Sequence, residues 1–94
     1  MALFTTRVEL ENSNSDDYNL LHTAMVNAGF SKTILANSGK EYYLPSAEYN
    51  FIGEIDKSDV LNKARGVVES IHKSAQILVT ESAGRSWSNL RIVE

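Results

Sequence analysis

The sequence predicts one α+β domain of the ferredoxin-like, split-βαβ kind. Three observations carry this. Segments with a period of two and segments with a helical period alternate in the order β-α-β-β-α-β. Turn and cap residues stand between the segments. The chain has 94 residues, enough for one hydrophobic core and too few for two. Antiparallel strands with both helices on one face are therefore expected across residues 1–94, with a C-terminal extension from residue 83.

The first strand is centred on Arg7–Glu11. Phe4, Thr6, Val8 and Leu10 alternate with Thr5, Arg7, Glu9 and Glu11, so one face is buried and the other wet. Asn12-Ser13-Asn14-Ser15 is a polar loop, and Ser15 or Asp16 is expected to cap a helix over Asp16–Ala28. Tyr18, Leu21, Met25 and Ala28 recur on one side of that helix. Gly29 follows where helices end in a positive φ, and Phe30 is placed on the core. Lys32–Ala36 reads as the second strand, and Asn37-Ser38-Gly39 as a turn. Glu41-Tyr42-Tyr43-Leu44 fits either half of a small hairpin or an ordered loop, ended by Pro45.

Glu48–Ile55 alternates with an aromatic face, Tyr49 and Phe51, expected to meet the helices. Ser58 is the expected cap of a helix over Ser58–Lys73, whose apolar stripe runs through Val60, Leu61, Ala64, Val67, Val68 and Ile71. Gly66 interrupts it and suggests a close approach to the sheet. Gln76–Thr80 is the last strand of the pattern. The tail from Ser82 carries Trp87, Leu90, Ile92 and Val93. It is expected either to add a strand in its own subunit or to pair with a partner's edge, forming a homodimer through Trp87, Leu90 and Ile92.

Composition narrows the function. A net charge of −3 with basic residues spread along the chain argues against sequence-blind binding to duplex DNA. The absence of cysteine excludes disulfides and thiolate metal sites and suits a cytoplasmic protein. No apolar run reaches the roughly 18 residues of a membrane span, so no membrane partner is expected.

The motif inventory is thin. His22 and His72 fall in no metal-ligand spacing, so no metal site is assigned and both read as surface residues. Glu9, Glu11, Asp16 and Asp17 gather around the end of the first strand. They fit a solvated strand face and helix-capping charge, the alternative being a cluster that holds Mg²⁺ for phosphodiester cleavage. There is no P-loop and no Gly-x-Ser-x-Gly elbow. Tyr42, Tyr43, Tyr49 and Phe51 concentrate aromatic surface near the third strand, as on sheets that stack unpaired RNA bases, yet the RNA-recognition-motif signature is missing. Tyr42 and Tyr43 point opposite ways in an extended chain, which leaves one, taken as Tyr43, for RNA.

The run Tyr18-x-x-Leu21-x-x-x-Met25-x-x-x-Gly29-Phe30, followed by Ser31 to Ala36, resembles the small GhoS-type antitoxins. These are distant relatives of the small CRISPR-associated ferredoxin-fold nucleases. The resemblance spans residues 4 to 80. It implies a cytosolic endoribonuclease of a toxin–antitoxin system that cleaves a single-stranded message without a nucleotide cofactor. By position it implies catalytic roles for Glu9, an acidic residue ending the first strand, and for His22. Histidine stands at 22 where the family has arginine, so a pH-dependent acid or base replaces a fixed charge. Lys32, Arg65 and Lys73 are the accompanying RNA-binding candidates. The competing reading is a non-enzymatic protein–protein module, phage- or plasmid-encoded, that dimerises or blocks a partner. Its motives are the acidic balance and the apolar tail.

Overall fold

A computed structural model describes residues 1–94, and its central element is the first strand. β1 (Ala2–Leu10) pairs antiparallel on one edge with β4 (Glu48–Gly53) and on the other with β5 (Ala75–Glu81). The three-stranded sheet has the order β4-β1-β5. Phe4, Val8 and Leu10 point to one face and are buried, while Arg7 and Glu9 point to the other and are exposed. The alternation extends to Ala2, several residues before the expected centre of the strand.

Two helices, α1 (Ser15–Asn27) and α2 (Lys57–Ser70), cover the inner face. Leu21 and Met25 from α1 meet Val60, Ala64, Val67 and Val68 from α2 over Phe4, Val8 and Tyr49. Each fully buried aliphatic or aromatic side chain contributes about 1.5–3 kcal/mol relative to exposure. Phe30 joins this core and Phe51 packs against it, as the sequence indicates. This is the α+β, split-βαβ architecture.

Both helices start one step earlier than expected. Asn14, not Ser15 or Asp16, caps α1: its side chain accepts from Asp17 N at 3.0 Å, and Asp17 accepts from Asn14 N at 3.1 Å. Asp56, not Ser58, caps α2 with the same reciprocal pattern to Asp59. The reason is spacing. Only Asn14 and Asp56 have a carboxylate three residues ahead to close a capping box. Gly29 takes φ +98° after α1, as its position requires.

The second and third strands depart from a plain four-stranded sheet. Ser31 makes one antiparallel bridge to Asn50 on the outer edge of β4, with both bonds at 2.8 Å. The chain then leaves the sheet. β2 (Thr33–Leu35) pairs with β3 (Glu41–Tyr43) as a separate hairpin, turned at Gly39 with φ +90°. At the point of departure the Lys32 ammonium donates to the carbonyls of Pro45, Ser46 and Glu48 at 3.0, 3.1 and 2.7 Å and so ties the start of the hairpin to the β3–β4 loop.

Within the chain the tail lies along the hairpin: Tyr42 makes one isolated antiparallel bridge to Ile92, Tyr43 N donates to Arg91 O, and Val93 N donates to Glu41 O. Trp87 packs on Tyr42 at 5.5 Å between ring centroids. Gly66 makes no close approach to the sheet: a Cβ there would meet nothing within 4 Å. Its cost to the helix is therefore uncompensated. Gly66→Ala is expected to raise the free energy of unfolding by roughly 1 kcal/mol, read from the urea midpoint.

Candidate functional site

A tyrosine buried on a strand needs a partner for its hydroxyl, and that requirement builds the site. Tyr49 is opposite Thr6 on the inner face and fully buried. Its Oη is hydrogen-bonded to Nδ1 of His22, two turns into α1. The rings are 5.6 Å apart, and Tyr18 flanks His22 at 6.3 Å. Tyr18 Oη accepts from Leu10 N at 3.0 Å, fixing that ring to the end of β1. Lys32 Nζ sits 4.5 Å above the Tyr49 ring. His22 is thus half-buried rather than the surface residue expected, while His72 is exposed.

The electrostatics follow from burial. Desolvation pushes the Tyr49 hydroxyl up, so it stays protonated. Desolvation first, and the Lys32 charge second, hold the His22 imidazole below its ordinary range. Burial likewise brings the Lys32 ammonium down to about 8, opposed by Glu48. At neutral pH the cluster therefore has an uncharged imidazole beside a cation. Nε2 of His22 bonds to no protein atom and is not sealed from solvent. With Nδ1–H donating to Tyr49 Oη, Nε2 offers a lone pair. In the other tautomer Tyr49 O–H donates to Nδ1, and Nε2–H is a donor. The arrangement can take up a proton and return it at one oriented, solvent-facing atom.

The remaining predicted residues lie elsewhere. Glu9 is on the outer face of β1, bound by Arg7 Nε at 3.0 Å, so the sheet separates it from His22. No three His, Asp or Glu side chains are close enough to hold a metal ion, and Glu9, Glu11, Asp16 and Asp17 do not converge. Lys73 is paired with Asp17 at 3.0 Å and donates to Asn12 O, tying the start of α1 to the end of α2. Arg65 is exposed on α2. Tyr43 is exposed on the hairpin and faces the Arg91 guanidinium at 5.2 Å. Trp87 and Ile92 keep 39% and 43% of their surface, enough for further contact, and Leu90 is half-buried.

Two residues escaped the sequence reading. The sequence places Tyr49 against the helices without naming a partner for its hydroxyl, although a buried phenol requires one. Arg85 gave no signal, because its partners Thr5 and Asn50 are 80 and 35 positions away. Comparison with known proteins adds no assignment: the chain matches no protein-family model and no curated protein sequence.

The lowered His22 pKa has a signed consequence. Between the ordinary histidine value near 6.5 and the lower folded value, the unfolded chain binds more protons. The stability His22 contributes is full above 6.5 and is lost as pH falls through the folded value. The urea midpoint is expected to decline as pH is lowered from about 7 to about 5.5, and His22→Gln is expected to flatten that decline.

Proposed function

We propose that this chain is a small antitoxin-like endoribonuclease that binds and cuts single-stranded mRNA in the cytoplasm, with His22 as its acid–base group. The observation that carries the reading is the His22 imidazole itself. It is held at Nδ1 by Tyr49, open at Nε2, kept uncharged by burial and placed beside Lys32. The resemblance of Tyr18 to Ala36 to the GhoS-type antitoxins supports the same residue.

The chemistry needs no cofactor. Nε2 removes the proton of an RNA 2′-OH, and the 2′-oxygen attacks the adjacent phosphorus. The bond from phosphorus to the 5′-oxygen breaks, leaving a 2′,3′-cyclic phosphate. The proton on His22 passes to the departing 5′-oxygen, so the group ends as it began. Lys32 supplies positive charge near the phosphate through its field, since its three donors already face carbonyls. Glu9 has no part in this scheme, and Mg²⁺ would enter only if cutting depended on it.

A second reading, a protein–protein module, is favoured by one observation. Leu3 and Ile52, neighbours across β1 and β4, are exposed on the outer face of the sheet, and Leu78 is exposed farther along it opposite Arg7. The two readings separate in one assay, in which wild type, His22→Ala and Glu9→Gln are incubated with a pool of labelled single-stranded RNAs, with and without Mg²⁺. His22→Ala is expected to lose cutting by roughly 10²-fold or more, and Glu9→Gln to cut like wild type. Intact RNA with every protein would leave the interaction module standing instead.

A further inference from the structure

We propose that the groove between the tail and the hairpin, over the outer face of the sheet, binds one nucleotide unit of a single-stranded RNA, its phosphate on Arg85 and its base on Trp87. The proposal rests on the RNA reading above and adds a binding site remote from His22.

The groove is built by the C-terminal tail. Two adjoining cavities of about 470 and 320 Å³ share Arg85, Trp87, Gly84 and Ile34. Arg85 crosses β1 and β4 on the outer face. Its Nη2 donates to Asn50 Oδ1 at 2.8 Å, Thr5 Oγ1 at 3.0 Å and Phe4 O at 3.3 Å, and its Nε donates to Thr5 Oγ1 at 3.2 Å. Every one of these acceptors is neutral. No carboxylate lies within ion-pair distance of Arg85, whereas Arg7 pairs with both Glu9 and Glu48 and Lys73 with Asp17.

Arg85 is therefore a half-buried cation with no ion pair at contact distance, attracted only at longer range by Glu48. Its Nη1, with two N–H donors, bonds to no protein atom. Glu48 also lines the larger cavity, but Arg7 holds its carboxylate at 3.2 Å on the same face. A fixed guanidinium with a free pair of donors fits a phosphate oxygen.

Trp87 supplies the second half of the recognition. It lines both cavities, keeps 39% of its surface, and is backed by Tyr42. An indole steadied by a tilted tyrosine and partly exposed in a groove can stack on an unpaired base. Ser86 and Ser88 also line the larger cavity and add two hydroxyls to it. A guanidinium beside an exposed indole favours a nucleotide over an acidic peptide, which would leave the indole without a stacking partner.

Trp87 is the sole tryptophan, so its emission reports on this groove alone. The full chain is titrated at low salt with a short single-stranded RNA of mixed sequence, followed by Trp87 fluorescence and by RNA anisotropy. The expected result is saturable quenching on the same curve as the anisotropy. Trp87→Ala is expected to weaken binding about tenfold or more. Arg85→Gln is expected to weaken it and to lower the salt slope by about one ion. Because Arg85 also anchors the tail, Ser88→Asp places a carboxylate in the groove without touching an anchor, and a tenfold or greater loss is expected there too. RNA binding with unchanged emission and wild-type affinity in Ser88→Asp overturns the groove and leaves the His22 reading intact. Quenching without any cutting supports the groove and overturns the nuclease. Absence of all RNA binding overturns both.

Discussion

β1 is hydrogen-bonded along both edges, so it cannot slide on one neighbour without breaking from the other. Its period of two then assigns every residue to a face. Phe4, Val8 and Leu10 go to the core, and Thr5, Arg7 and Glu9 go outside. The same register sets Tyr49 opposite Thr6 beneath α1 and Asn50 opposite Thr5 beneath the tail. A shift of one residue would expose the core and exchange the two candidate sites at once. The placement of His22 on one side of the sheet and Arg85 on the other descends from this one pairing.

Tyr49 couples the chemistry of the protein to its stability. A fully buried phenol without a partner would cost about 1–3 kcal/mol, so the hydrogen bond to His22 serves folding whatever else it does. The same burial that demands the bond also keeps the imidazole uncharged at neutral pH. One constraint thus orients the ring, sets its protonation and leaves Nε2 as the only ring atom still able to act.

Local signals carried most of the architecture. The alternation around Phe4 to Leu10, the apolar stripe from Val60 to Ile71 and the glycines at 29 and 39 are features of neighbouring residues, and the fold follows them. Helix starts were less legible because Ser15, Asp16 and Ser58 are all good caps in isolation, and only the reciprocal bond three residues on chooses among candidates. The short excursion of the second strand was hidden, since the tie from the Lys32 ammonium to three carbonyls is a tertiary contact. Of the site, His22 was readable as a candidate, but its buried partner was not. The separation of Glu9 from His22 follows from the parity of Glu9 on β1 together with the side on which α1 packs, and the second of these is set by tertiary structure.

The tail gives the molecule a particular order of assembly. Arg85 closes on Thr5 across 80 positions, and Arg91 to Val93 bonds to the hairpin from the far end of the chain. β1 precedes both of its neighbours in the chain, which begin only at residues 48 and 75. Contacts this distant in sequence slow folding, because loop closure precedes their reward. A nascent chain can form α1 and the β2–β3 turn early. Its outer sheet face stays bare until Arg85 and the segment through Val93 are in place, so that surface is completed after the sheet beneath it.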